Sequence, residues 1–352
     1  MVTTGPWLLY GANGYTGTLV ARLAAQRGHR PVLAGRSADG ICALSDELGL
    51  ERRLFALDEP AHVDAGLHGM TAVLHCAGPF SSTSAPMAAA CLRTGTHYLD
   101  ITGEVAVFEA LAQRDAQARA RGVMLLPGCG FDVVPSDCLA VHLRGRLPSA
   151  SRLALAYAAT GRLSRGTALT AIEGLAEPGL VRRAGVLTPE PPAHRTRSID
   201  FGRGPWPAIS VPLGDLASAW RSTGIPDIEL YLAAPLALRV MLRARRWLGP
   251  RLGSALQHRL AARVRAGAPG PSDDERARGR AFVWGEATDS AGRRVESRLE
   301  TPDGYSFTAQ AALAIVERVL AGYSPAGFQT PGLAYGPDFV LGLDGVTRTD
   351  LA

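Results

Sequence analysis

Between residues 7 and 128 the chain alternates two textures. Short, nearly continuous apolar runs read as strands: "WLLY", "RPVLAG", "RLFALD", "TAVLHCAG", "HYLDI" and "VMLLPG". Between them lie segments whose apolar residues recur at helical spacing, among them residues 17–27, 86–94 and 105–121. A strand that is apolar on both faces needs cover on both faces, and intervening helices supply it. The pattern predicts an α/β fold whose N-terminal part is a doubly wound parallel sheet, the Rossmann arrangement. Ligands of such a sheet sit at the carboxyl ends of its strands.

Past Pro135 the pattern changes. Strand-like "RLALAYAAT", "AISVP" and "DIELYLAA" are joined by proline-rich connectors. "GRAFVWGEATDSAGRRVESRLET" alternates on both sides of a "DSAG" turn, which predicts a β-hairpin, and "SFTAQAALAIVERVLAG" has the helical period. These features predict a second α+β domain on an antiparallel sheet. The expected organisation is a Rossmann domain over 1–135, a substrate or dimerisation domain over 136–304, and C-terminal helices over 305–352 packing back on the first domain.

The first strand runs into Gly11, Gly14 and Gly17, spaced G-x-x-G-x-x-G. Gly11 tolerates the backbone angles of a tight turn, Gly14 leaves the backbone open to a pyrophosphate, and Gly17 lets the next helix lie against the sheet. The free N–H groups and positive dipole end of that helix favour phosphate, and Thr16 adds a hydroxyl in the first turn. Asn13 and Tyr15 complete the loop as candidate contacts. Arg36 and Ser37 follow the second predicted strand. A ribose 2′-hydroxyl there needs a carboxylate, whereas a 2′-phosphate needs a guanidinium. The expected coenzyme is therefore NADP(H) rather than NAD(H). Asp58, ending "RLFALD", is placed either to accept from the adenine amino group or to cap the helix begun by "EPAHV". Ala77, Gly78 and Pro79 form a small turn after the fourth strand that leaves room for the nicotinamide half.

Composition narrows the chemistry. All 37 basic residues are arginine. Without lysine, Schiff-base catalysis, the Walker-A phosphate loop and the Tyr-x-x-x-Lys pair of short-chain dehydrogenases are excluded. Five cysteines without a C-x-x-C argue for reduced thiols rather than a disulfide framework or a zinc site. Neither a secretory leader nor an apolar run of membrane-spanning length is read, so the expected location is the cytoplasm.

The net charge of +5 is local. Residues 230–272 carry eight arginines and no acid, which leaves 29 arginines against 32 acids elsewhere. Within that segment, residues 236–265 set Leu, Val, Met and Trp at helical spacing between the arginines. They form either a core helix with a solvated basic face or a docking face for an acidic carrier protein or an anionic membrane surface. Nucleic acid is not an expected partner, because basic and aromatic residues do not interleave and no binding motif occurs. The second domain's hairpin and sheet are a candidate homodimer surface.

"GANGYTG", "LAGRS", "CAGPF", "ACLRTGTHYLDITGE" and "GCGFDVVPSD", taken in order, resemble the saccharopine dehydrogenase-like NADP-binding family. With "TPDGYSFTAQAA" and "GFQTPGLAYGPDFVLGLDGVTR" they are similar to its trans-acting enoyl reductase subgroup, and the resemblance covers nearly the whole chain. It implies an NADPH-dependent reductase acting on a conjugated C=C bond of a polyketide, lipid or carrier-bound acyl substrate. The same family includes C=N reductases of amino-acid-derived substrates. A protein of a different class, a non-catalytic NADP(H)-binding redox sensor, has the same coenzyme signature.

Hydride addition to an enoyl thioester leaves an enolate, which needs a hydrogen-bond donor at its oxygen and a proton at its α-carbon. Tyr98, near the carboxyl edge and followed by Asp100 and Glu104, is a candidate for either role; the competing reading is a packed aromatic with its hydroxyl tied down. In "GCGFDVVPSD", Asp132 is the stronger candidate for proton relay, because Asp137 sits in a helix start that accounts for it. Cys129 and His97 have structural readings by default.

Overall fold

The computed structural model describes residues 5–174, 178–234, 259–260 and 262–351. It divides into two compact units, Met1–Val134 with Tyr305–Asp344, and Pro135–Gly304 with Gly345–Ala352. Residues 236–258, most of the predicted basic docking helix, lie outside the described residues.

In the first unit the apolar runs form β1 (Trp7–Tyr10), β2 (Val32–Gly35), β3 (Arg52–Leu54), β4 (Ala72–His75), β5 (His97–Asp100) and β6 (Met124–Leu126). They pair in parallel in the order β3-β2-β1-β4-β5-β6. A short seventh strand, Gly327–Phe328, adds in parallel to the outer edge of β6. Leu8, Leu9, Leu33, Leu74 and Leu99 are wholly inaccessible, as continuous apolar strands require. The connecting helices are α1 (Tyr15–Gln26), α2 (Ala38–Leu48), α3 (Pro60–Leu67), α4 (Phe80–Thr94), α5 (Val105–Ala112) and α6 (Asp115–Arg121). This is the Rossmann sheet expected from the sequence. Its strand order reverses between β1 and β4, so the connections leaving those two strands diverge to opposite faces and open a crevice.

The second unit begins in α7 (Val134–Arg146) and continues into β7 (Ala150–Thr160). Its other strands are β8 (Gly179–Arg183), β9 (Val186–Glu190), β10 (Thr196–Asp200), β11 (Pro205–Ser210), β12 (Asp227–Ala233), β13 (Arg280–Asp289) and β14 (Arg294–Pro302). The predicted hairpin is β13–β14, paired from Arg280↔Pro302 to Thr288↔Arg294. The sheet runs β10-β11-β12-β7-β13-β14 and ends on Thr347–Leu351. It is mixed, which corrects the expected antiparallel sheet: β12 pairs in parallel with β7. Residues 161–226 make the long return that such a pair requires. A second correction concerns the C-terminus. Residues 305–344 belong to the first unit, but 345–352 do not, because Thr347–Leu351 pairs antiparallel with the free edge of β14.

Candidate coenzyme site

The carboxyl edge of the first sheet carries most of the predicted site residues. Gly11 follows β1 at φ +78°, a left-handed angle that glycine takes without strain, and a Cβ there would lie 2.8 Å from the backbone N of Ala77. The glycine turn after β1 and the Ala77 turn after β4 therefore touch at the switch point, where Cys76 N donates to Tyr10 O over 2.8 Å.

Gly14 and Gly17 have different duties. Gly14 is the N-cap of α1, and no side chain caps it. The nearest atom to a Cβ on Gly14 would be Gly11 O at 3.2 Å, so its outer side is open. Gly17 is buried, and a Cβ there would come within 2.3 Å of Gly11 O and 2.9 Å of Ala12 Cα. Thr18 closes the same turn, its hydroxyl donating to Ala12 O over 3.1 Å. Thr16 and Tyr15 lie in the first turn of α1, and the Tyr15 ring meets Tyr305 edge-on with centroids 5.1 Å apart.

Arg36 and Ser37 are exposed immediately past β2, and Arg36 makes no ion pair among the described residues. Asn13 reaches over this turn: a Cβ on Gly40 would lie 2.8 Å from Asn13 Nδ2, and one on Gly35 would lie 3.4 Å from Asn13 Oδ1. Asp58 is exposed beyond β3, which stops at Leu54, and the N-cap of α3 is Glu59. Asp58 accepts from Glu59 N over 3.1 Å and is not the helix cap. Burial raises the Tyr10 hydroxyl to about 12, with Arg36 lowering it and Asp58 raising it, so both charged groups flank the same end of β1. Cation and acid thus stand beside the turn that would receive an adenosine 2′-phosphate.

Ala77, Gly78 and Pro79 form the exposed turn leading into α4. Here the structure adds a residue that sequence reading did not assign. Glu104 accepts from Phe80 N at 2.9 Å and from Ser81 N at 2.8 Å, so the amino terminus of α4 already carries a carboxylate. The first turn of α1, by contrast, holds no acidic residue and has no side-chain cap. No local signal marks Glu104, which lies 24 residues from its partner Phe80. His75 is fully buried at the end of β4, and burial depresses its pKa to about 3, so it is neutral. Its Nε2 lies 2.9 Å from Thr83 Oγ1, whose single proton goes to Ala77 O at 2.7 Å. His75 therefore donates through Nε2–H, and the pair holds the Ala77 turn in place.

The catalytic candidates separate. Tyr98 is wholly buried and its hydroxyl donates to Asp100 Oδ2 over 2.6 Å. Asp100, equally buried, also accepts from Thr102 N and Gly128 N at Oδ1, each at 2.9 Å. Burial raises the Asp100 carboxyl to about 6 against the pull of these donors. Tyr98 and Asp100 are thus corrected from catalytic candidates to positioning residues that tie β5 to the turn after β6, because neither can reach a substrate. Asp132 is different: it is exposed, with its Cβ 3.2 Å from where a Cβ on Gly103 would stand. Burial of its carboxyl by the surrounding protein nevertheless pushes the pKa up to about 6. Cys129 is buried with its thiol held well above the usual range by burial, which leaves it inert.

Residues 7–126 match the family described as the saccharopine dehydrogenase NADP-binding domain. A trans-acting enoyl reductase of Mycobacterium ulcerans is 30% identical over 258 residues, covering 67% of this chain and 60% of that protein. Another from Mycobacterium leprae is 34% identical over 148 residues, covering 40% of this chain and 35% of its own length. The chain thus spans less than two thirds of these relatives. Its fold is similar to that of apo saccharopine dehydrogenase (L-Glu forming) from Saccharomyces cerevisiae, with a TM-score of 0.69 at 11% identity, covering 99% and 100% of the two chains. Residues 7–126, which carry the glycine turn, the uncapped α1 and Arg36, thus belong to the saccharopine dehydrogenase NADP-binding domain family.

Proposed function

We propose that the protein is an NADPH-dependent oxidoreductase that reduces a conjugated C=C bond of a polyketide, lipid or carrier-bound acyl substrate. The observation that carries this reading is the glycine turn closed against the Ala77 turn at the switch point, in a domain whose family is described by NADP binding. The relatives named for enoyl reduction supply the choice of bond. Bound NADPH supplies the hydride. The residues of the chain hold the acceptor carbon beside the Ala77 turn, exclude water and stabilise the charge that develops. On an enoyl thioester the β-carbon receives the hydride and the α-carbon must receive a proton. Asp132 is the side chain proposed to deliver that proton, directly or through one water, because it is accessible and its raised pKa leaves about a tenth of it protonated at pH 7. The acyl chain is proposed to arrive on an acidic carrier protein that docks on the arginine-rich segment 236–265, in a soluble cytoplasmic setting. No described helix is long and apolar enough to cross a membrane.

The test is NADPH consumption by the purified protein with a panel of enoyl thioesters and of cyclic and acyclic imines. Consumption with an enoyl thioester, with the saturated product recovered, is the expected result. Consumption with imines alone would replace C=C reduction by C=N reduction. Tight NADPH binding without turnover on any acceptor would make the protein a redox sensor.

A further inference from the structure

The second unit carries a recess of about 520 Å³ that the coenzyme site does not use. Its floor is the central strand β7 at Ala154, which stands in register between Glu229 of β12 and Glu286 of β13. The short alanine side chain makes the depression, and guanidinium groups surround it: Arg152 from β7, Arg183 from β8, Arg197 from β10, and Arg195 just before it.

Layering decides the electrostatics here. Three carboxylates line the recess: Glu229, 19% exposed, Glu286, 12% exposed, and Asp227, which stands in register with Arg152 and accepts from Ala184 N over 2.8 Å. The arginines lie above them, with Arg195 42% exposed and Arg197 31%. Arg183 and Arg195 share Glu229, the latter at 2.9 Å, and Arg197 pairs with Glu286 at 2.7 Å while resting 4.5 Å over the Trp284 ring. Glu190 takes a second side of Arg195 at 3.2 Å and lies 3.9 Å from Arg183, so the N–H groups left to face an anion are chiefly those of Arg152 and Arg197. The Arg152 side chain has no ion-pair or hydrogen-bond partner among the described residues. A lone carboxylate is satisfied by one guanidinium fork, whereas several forks converging on one recess match an anion with three oxygens and nearly two charges. The volume also suits a small molecule.

We propose that this recess binds the phosphate group of a phosphorylated small molecule. The experiment is calorimetric titration of the full-length protein, saturated with NADP+ so that the nucleotide site is filled. The probes are inorganic phosphate, glycerol 3-phosphate and succinate. Phosphate and its ester are expected to bind at one site per chain, and succinate at least about tenfold more weakly. Tighter binding of the ester identifies an organic phosphate as the occupant, and equal binding identifies free phosphate; both support the site. Arg152→Ala is expected to weaken phosphate about tenfold or more while leaving the melting temperature unchanged, because Arg152 holds no other residue. Three results would overturn the proposal. They are no binding of either phosphate at roughly 10 mM, succinate binding as tightly as phosphate, and unchanged phosphate affinity in Arg152→Ala.

Discussion

Replacing Gly14 and Gly17 in turn by alanine tests whether the first glycines of this chain serve ligand access or packing. At Gly14 the backbone is ordinary for any residue (φ −73°), and the new methyl would find only Gly11 O at 3.2 Å. The contact is relieved by a few tenths of an ångström, and alanine is a poorer N-cap than glycine, so the cost is about 1 kcal/mol. Melting should fall by about 2–4 °C. At Gly17 the methyl would lie 2.3 Å from Gly11 O and 2.9 Å from Ala12 Cα. Both are backbone atoms and cannot rotate aside, so α1 must move off the turn. With a 2.3 Å approach to fixed backbone, overpacking costs about 3 kcal/mol, offset by about 1 kcal/mol from the better helix propensity of alanine, a net loss about twice that at Gly14. Thermal melts and NADPH titrations by fluorescence then separate the two roles. Gly14→Ala should weaken NADPH at least about tenfold, some 1.4 kcal/mol, with little loss of stability. Gly17→Ala should lose both. If Gly14→Ala binds NADPH within about twofold of the parent, the pyrophosphate does not pass over that residue and the reasoning fails.

Other perturbations have equally definite outcomes. Arg36→Ala should weaken NADPH by about 10- to 100-fold, the worth of a charged hydrogen bond, and leave NADH nearly unchanged; equal losses for the two coenzymes would remove the 2′-phosphate assignment. Tyr98→Phe takes a donor from a buried carboxylate and should cost about 1.5–3 kcal/mol in urea unfolding, and a loss below about 0.5 kcal/mol would contradict the bracing role. Asp100 has its carboxyl raised to about 6 in the folded state, above its unfolded value of about 4. Between those values the folded protein binds more protons than the unfolded chain, so this contribution to stability rises as pH falls from 6 to 4 and is absent above; Asp100→Asn should abolish that slope. Asp132→Asn should lower kcat/KM and remove an inflection near pH 6 from its pH profile, and an unaltered profile would exclude Asp132 from proton delivery.

What the sequence determined by itself was local. Five of the six apolar runs contain a strand of the first sheet, because a strand buried on both faces needs no information from its neighbours to be recognised, whereas "RLFALD" overlaps the more exposed edge strand β3 only at Arg53 and Leu54. The β13–β14 hairpin was equally readable, since its turn and both alternating arms are contiguous. The coenzyme half of the site belongs to the same class: Gly11, Gly14, Gly17 and Arg36 lie within one strand–helix–strand unit whose geometry follows from chain length alone. Tertiary structure decided whatever depends on residues far apart. Tyr98 and Asp100 read as reactive from their types, yet both are sealed inside, since burial is set by what packs around a strand. Glu104 fills the α4 terminus from 24 positions away. The parallel β12–β7 pair and the return of Thr347–Leu351 to β14 are long-range choices with no local mark. The arginine recess arises in the same way, because residues from β7, β8, β10, β12 and β13 become neighbours only when the sheet assembles. Periodicity encodes which face of an element is apolar; it does not encode which partner that face meets, and the partner decides burial, charge and hence chemistry.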